Sequence, residues 1–167
     1  WMEWVACACF LDIPEWFLGI PFGFEKQTQV EVAVISACFR VIFFESFNQN
    51  KFEKALGISV DFVQDNQAKS DYGVVRGLHF QKNEHAQAKL VSVVQGSVLD
   101  VVVDCRTNSA TYLQSFSIKL SATNHYQLYV PRGFAHGYSV LEDQTIFTYK
   151  CDNYYNKSSE GGIHYAD

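Results

Sequence analysis

The chain has 167 residues, a formal net charge of −5 and a composition that is 48% hydrophobic and 16% aromatic, with 14 Phe, 9 Tyr and 3 Trp. This length suits one domain, and so much apolar and aromatic surface excludes a disordered chain. The acidic balance argues against nucleic-acid binding, although a few well-placed cations can still form a local pocket for a small anion.

The first 29 residues differ in composition from the rest and are predicted to form a peripheral arm, so that the main domain spans residues 30–167. The arm is apolar, but acidic residues and a proline interrupt it, and its first basic residue is Lys26. This pattern is typical neither of a signal peptide nor of a membrane-spanning helix. The five cysteines include no Cys-x-x-Cys pair, which indicates reduced thiols in a cytoplasmic protein without a membrane partner.

Strand signals dominate from residue 30 onward. Short runs rich in Val, Ile, Phe and Tyr, such as VEVAVIS, GVVRGLHFQ and QTIFTYKC, are separated by Gly, Asn and Pro. Many short strands with little helix predict an all-β sandwich, barrel or jelly roll. Within this pattern, KLVSVVQGSV and VLDVVVD predict a hairpin around Gln95-Gly96.

One segment, residues 48–57, is predicted to be a helix. Its apolar residues Phe52, Ala55 and Leu56 fall on one face, and Gly57 is a typical helix stop.

Two of the five histidines are candidates for chemistry. His79 and His136 each lie in a strand-like run beside glycine and aromatic residues, whereas His85 and His125 lie in polar turns and are expected at the surface. Taken singly, either candidate could also be an ordinary buried histidine that hydrogen-bonds a neighbour.

A metal site is disfavoured. Cupin-type barrels often bind metal through His-x-His, but Gly77 and Gln81 occupy the positions two residues from His79. Lys89 stands where a carboxylate ligand would follow, and a cation at that position favours an anion or a developing oxyanion.

Proton transfer next to a carbonyl group suits the residues better. His79 can act as a general base, Lys89 can stabilise an enolate, and a tyrosine of FTYKCDNYY can return a proton. In a regular strand Arg76 points away from His79, so a twist or bulge at Gly77 is required to bring both side chains to one cavity.

Three long motifs resemble the dTDP-4-dehydrorhamnose 3,5-epimerase family. They are FVQDNQAKSDYGVVRGLHFQ at 62–81, QAKLVSVVQGSVLDVVVDCR at 87–106 and YVPRGFAHGYSVLEDQTIFTYKCDNYYN at 129–156. Their order and spacing agree together, and the resemblance covers residues 42–167.

The resemblance implies a cupin-like jelly roll, a homodimer, and no metal or organic cofactor. It implies epimerisation at C3 and C5 of dTDP-4-dehydro-6-deoxy-D-glucose, a dTDP-4-keto-6-deoxyhexose, to dTDP-4-dehydro-L-rhamnose. By motif, His79 corresponds to the base, Lys89 to the enolate stabiliser beside O4, and Tyr149 to the acid on the opposite face. The positions that correspond to substrate-binding residues are Arg76, His136, Gln64, Asn66, Glu45, Arg40 and Tyr155.

The chain departs from the family pattern in two places. Around Arg40, CFRV replaces the usual acid and glycine. The family also continues past GIHYAD with a segment that holds an aspartate paired with the catalytic histidine, and no residue of this sequence is assigned that role. Two alternatives therefore stay open: a weak or inactive protein that binds dTDP-sugar, and an epimerase acting at C3 only or at C5 only.

Overall fold

Strands are the main secondary structure of the chain, which the computed structural model describes at residues 34–35 and 45–164. The helix and the strands are, in chain order, β1 (Val34–Ile35), α1 (Gln49–Leu56), β2 (Gln64–Ser70), β3 (Val75–Gln81), β4 (Lys89–Gln95), β5 (Ser97–Asp104), β6 (Ser115–Ser121), β7 (Gln127–Val130), β8 (Phe134–Val140), β9 (Thr145–Cys151) and β10 (Glu160–Ile163). The expected all-β class with little helix is confirmed.

Within the described residues, the strands form two antiparallel five-stranded sheets. One sheet has the order β1-β7-β4-β9-β2, and the other has the order β10-β3-β8-β5-β6. Most neighbours in a sheet are distant in sequence, as expected of a jelly-roll sandwich. Strands β3 and β8 are neighbours in one sheet and β4 and β9 in the other, and these four strands carry five candidate residues that line one cavity: Arg76, His79, Lys89, His136 and Tyr149.

The prediction of a hairpin at Gln95-Gly96 is wrong. Strands β4 and β5 follow one another in the chain but belong to different sheets, so the chain crosses the sandwich at Gly96. Gly96 has φ +77°, and a Cβ atom there would collide with Thr145. A glycine with positive φ marks a hairpin turn and a sheet-to-sheet crossing equally well, which explains the error.

The predicted helix is confirmed as α1. The Asn48 side chain caps it by accepting a hydrogen bond from the Lys51 amide, and Gly57 ends it with φ 68° while its amide donates to the Glu53 carbonyl. Phe52 is the buried residue of the helix, and its ring meets that of Tyr129 edge-on at 5.4 Å. This contact attaches the helix to β7.

The interior between the sheets is mainly apolar. Its fully buried side chains include Val91, Val98, Val102, Leu120, Leu128 and Phe147. Among the described residues, Asp104 is buried beside its partner Arg106, and Lys89, Asp100 and His136 are buried with the apolar side chains. Buried charge is costly unless it is paired, so the latter three residues direct attention to one region of the interior.

Two predictions fall outside the described residues: the arm at 1–29 and the role of Arg40. Among the residues that are described, no helix has both the length and the apolar character needed to cross a membrane.

Candidate active site

The residues singled out as catalytic lie together around one cavity of about 130 Å³. Of the predicted residues, the lining contains Arg76, His79, Lys89, His136 and Tyr149. The sequence did not single out three further lining residues, Ala68, Tyr138 and Phe147. The cavity therefore collects side chains from five strands of both sheets.

A bulge in β3 brings Arg76 and His79 to the same cavity. Arg76 pairs with Tyr138 and His79 pairs with His136, so three residue steps on β3 match two on β8. The extra residue turns both side chains to one face, which confirms the irregularity predicted from their spacing. Gly137 permits the close packing, because a Cβ atom there would lie 2.6 Å from the Arg76 carbonyl oxygen.

His79 has a partner on each ring nitrogen. Nδ1 lies 3.0 Å from the Gly77 carbonyl oxygen, and Nε2 lies 3.2 Å from Nζ of Lys89. Because a carbonyl oxygen only accepts, Nδ1 carries the hydrogen and Nε2 offers a lone pair. Burial and then the charge of Lys89 lower the pKa of His79. A neutral imidazole with a basic Nε2 is the form that a general base requires.

Lys89 is buried beside this base and the candidate acid. Its exposed fraction is 6%, and Nζ lies 5.8 Å from the centre of the Tyr149 ring. Burial lowers the pKa of Lys89, while negative charge on Cys151, Asp100 and Glu160 would raise it. A cation held in a site of low polarity interacts strongly with any negative charge that develops nearby.

Tyr149 lies on β9 and keeps its proton firmly. Burial raises the pKa of its hydroxyl group. Its ring lies 6.1 Å from that of Phe147, which stacks on Tyr138 at 4.2 Å. This aromatic layer fixes the position of Tyr149 as a neutral donor at neutral pH.

Arg76 is an exposed cation at the cavity. Its charge and hydrogen bond oppose the burial that raises the pKa of the Tyr138 hydroxyl. Among the described residues, Arg106 and Arg132 are paired with aspartates, whereas no ion pair involves Arg76. An arginine without a carboxylate partner is well suited to bind phosphate oxygens.

His136 has a partner that sequence reasoning missed. Nε2 lies 2.9 and 3.0 Å from the two carboxylate oxygens of Asp100, on the neighbouring strand β5. Burial raises the pKa of Asp100, and His136 opposes that increase. The available signal was the aspartate itself, which interrupts the apolar run SVLDVVVD.

The other predicted binding residues that the structure describes lie on β2, beside α1 and next to β10. Gln64 and Asn66 share a face of β2 with Ala68, and Asn66 pairs with Tyr149. Glu45 accepts a hydrogen bond from Lys51 beside α1, and the Tyr155 hydroxyl donates to Glu160 at 2.8 Å. These four residues are not among those that line the cavity.

No cluster of three or more His, Cys, Asp or Glu side chains that could hold a metal occurs in the described part of the chain. The charged groups facing the cavity are instead suited to anions: a lysine, an arginine and two histidines surround it. This arrangement can move protons and stabilise a developing oxyanion.

Comparisons with known proteins agree with this geometry. The family model for dTDP-4-dehydrorhamnose 3,5-epimerase matches residues 30–167. A relative with that name from Shigella flexneri is 52% identical over 128 residues, which are 77% of this chain and 71% of the relative.

Two solved structures have similar folds. A dTDP-4-dehydrorhamnose 3,5-epimerase from Elizabethkingia anophelis is 50% identical with a TM-score of 0.78, covering 86% of this chain and 80% of that one. A dTDP-6-deoxy-D-glucose-3,5-epimerase from Legionella pneumophila, in complex with dTDP-4-keto-L-rhamnose, is 49% identical with a TM-score of 0.72. The match covers 75% of this chain and 66% of that one. The cupin-like jelly roll is thereby confirmed. With its fold, its motifs and these relatives in agreement, the chain belongs to the dTDP-4-dehydrorhamnose 3,5-epimerase family.

Proposed function

We propose that this protein is an isomerase that epimerises C3 and C5 of dTDP-4-dehydro-6-deoxy-D-glucose to give dTDP-4-dehydro-L-rhamnose. The observation that carries the proposal is the contact between a basic Nε2 on His79 and the buried Nζ of Lys89, in a cavity that Tyr149 also lines. Base, cation and acid are the three groups needed to invert a carbon next to a ketone.

The chemistry begins with proton abstraction. His79 Nε2 takes the proton from the carbon next to the C4 ketone, and the electron pair of the C–H bond moves into an enolate whose charge is on O4. Lys89 offsets that charge through its ammonium group. Because Lys89 is buried, this interaction is stronger than it would be in water.

Proton return completes the inversion. Tyr149 donates its hydroxyl proton to the carbon from the opposite face, and the ketone re-forms. The raised pKa of Tyr149 keeps the hydroxyl protonated until the enolate forms. The imidazolium of His79 and the phenolate of Tyr149 then exchange protons with solvent, which restores the starting state.

Substrate binding is assigned to the surrounding polar groups. Arg76 binds the diphosphate, supported by its exposure at the cavity and by its lack of an ion pair among the described residues. His136 contacts the sugar. The remaining members of the proposed nucleotide-binding set are Gln64, Asn66, Glu45, Arg40 and Tyr155.

A homodimer and a cytoplasmic location are part of the proposal. The sheet containing β4 and β9 has a groove of about 380 Å³ whose lining includes the exposed Val94, and this groove is a candidate contact surface. The thiols of Cys105 and Cys151 are free, which suits a reducing compartment.

Solvent exchange tests the proposed reaction. The purified chain is incubated with dTDP-4-dehydro-6-deoxy-D-glucose in D2O, and C3 and C5 are followed by NMR. We expect deuterium at both carbons together with the L-rhamno product. Exchange at one carbon assigns a single-site epimerase instead, and binding without exchange assigns an inactive dTDP-sugar-binding protein.

A further inference from the structure

Asp100 is a carboxylate with no contact to bulk solvent. Its side chain is 0% exposed and that of His136 is 3% exposed, and both carboxylate oxygens lie within 3.0 Å of Nε2. An apolar residue at this position would avoid the cost of burying a charge. The Asp100–His136 pair therefore indicates a functional role rather than a contribution to stability.

The geometry sets the tautomer of His136. An ionised carboxylate can only accept, so Nε2 donates its hydrogen to Asp100 and Nδ1 is left with a lone pair. Within the described residues, Nδ1 is buried and has no hydrogen-bond partner. A buried acceptor without a partner is costly, which indicates that a ligand supplies the missing donor.

Packing holds the ring in this orientation at the cavity. The His136 ring stacks on Phe147 with centroids 6.2 Å apart, and it lies 6.3 Å from the ring of His79. The two histidines thus face one cavity with different partners: His79 has a carbonyl and an ammonium group, whereas His136 has a carboxylate. Different partners predict different roles.

We propose that Asp100 is a positioning residue that holds His136 in the Nε2–H tautomer, so that Nδ1 accepts a hydrogen bond from a hydroxyl group of the substrate's sugar ring. The inference rests on the proposed epimerase function. Asp100 touches no substrate itself, and it acts through His136. Its loss should therefore alter turnover of the sugar and the protonation pattern of the His136 ring together.

Asp100→Asn tests this role, because an amide fills the same volume and can donate to Nε2, favouring the Nδ1–H tautomer. We expect kcat/KM to fall roughly 10- to 100-fold while the melting temperature is retained. Long-range 1H–15N NMR of His136 should show Nε2–H in the parent and a shift toward Nδ1–H in the variant. Asp100→Asn should cause no further loss in a His136→Ala background.

Asp104→Asn is the matched control. Asp104 is also buried on β5, but it binds Arg106 and Thr111 rather than a cavity residue. This variant should lower the melting temperature and leave both kcat/KM and the His136 tautomer unchanged.

Three results would overturn the positioning role: an Nδ1–H tautomer in the parent protein, an unchanged kcat/KM in Asp100→Asn, or additive losses in the double variant. The NMR measurement on the parent needs no turnover and no variant, so it decides the tautomer even if Asp100→Asn does not fold. Lack of exchange by the parent in D2O contradicts the epimerase function instead, which separates the two failures.

Discussion

Nζ of Lys89 lies 3.2 Å from Nε2 of His79, so the proposed enolate stabiliser is within hydrogen-bonding distance of the proposed base. Nδ1 of His79 donates to the Gly77 carbonyl, which leaves Nε2 to accept from Lys89. A substrate ketone that binds Lys89 would draw the ammonium group away from Nε2. Substrate binding would then also release the base His79 from its contact with Lys89.

His79→Asn should abolish epimerisation while the protein stays folded. Removing a general base typically costs 10²- to 10⁴-fold in rate, and both C3 and C5 depend on the same imidazole in the proposed mechanism. The measurement is deuterium uptake at each carbon in D2O. His85→Asn is the matched control, since His85 lies outside the cavity with Asn156 as its partner, and it should keep full activity. Exchange at the parent rate in His79→Asn would refute the assignment.

The pH profile of kcat/KM should have its acid limb below the ordinary histidine value of 6.5. Burial and the charge of Lys89 lower the pKa of His79, so the neutral base persists as the pH falls through 6.5. Lys89→Met removes that charge and should move the limb upward, toward 6.5. It should also reduce kcat by roughly 10²- to 10³-fold, because the enolate loses its cation.

Lys119→Met is the control for the pH experiment, since Lys119 is an exposed residue on β6. The acid limb of the pH profile of Lys119→Met should coincide with that of the parent. An acid limb above 6.5 in the parent would contradict a lowered pKa of His79. A limb that does not move in Lys89→Met would show that the charge of Lys89 does not lower that pKa.

Much of the catalytic centre could be predicted because its signals are local and chemically specific. His79 and Lys89 lie in strand-like apolar runs, where a chargeable side chain is unusual and indicates a site. The spacing of Arg76 and His79 required the bulge that β3 contains. Tyr149 could be selected among neighbouring tyrosines only through the family motif. These signals can be recognised in the sequence without knowing the order of strands in the sheets.

The wrong hairpin and the missed residue Asp100 both concern features that depend on the tertiary structure. Gly96 looks the same in a hairpin turn and in a crossing between sheets, and only the sheet order separates the two. Asp100 shows a polar residue in an apolar strand, but its partner His136 lies 36 positions away in sequence. Pairing across strands is not encoded in either local segment.

Tyr149→Phe should separate proton removal from inversion. The base and the cation remain, so deuterium exchange catalysed by His79 should continue, while product formation should fall by roughly 10²- to 10⁴-fold because the acid is gone. NMR follows exchange and product in the same sample. Tyr112→Phe, at an exposed position away from the cavity, should behave as the parent. Equal losses of exchange and product in Tyr149→Phe would show that the hydroxyl is needed for proton removal as well.

Gly96→Ala should destabilise the sandwich at its crossing between sheets. The residue has φ +77°, and the added Cβ would collide with Thr145, so we expect a loss of about 1–3 kcal/mol in the free energy of unfolding. Gly57→Ala is the matched comparison, because Gly57 has φ +68° but open space around it. Denaturant unfolding should show the larger loss for Gly96→Ala. Equal losses would mean that the collision with Thr145 is relieved without cost.

Arg76→Ala should weaken substrate binding more than it slows the chemical steps. Hydrogen bonds to a charged group are worth about 1.5–3 kcal/mol, so KM should rise roughly 10- to 100-fold with a smaller change in kcat. Arg76→Lys should recover part of the affinity, since lysine keeps the charge but loses the bidentate geometry. Calorimetry with dTDP measures the binding directly. Arg132→Ala is the control, because its guanidinium is paired with Asp152 rather than facing the cavity. If Arg76→Ala bound dTDP as tightly as the parent, the diphosphate would have to lie elsewhere.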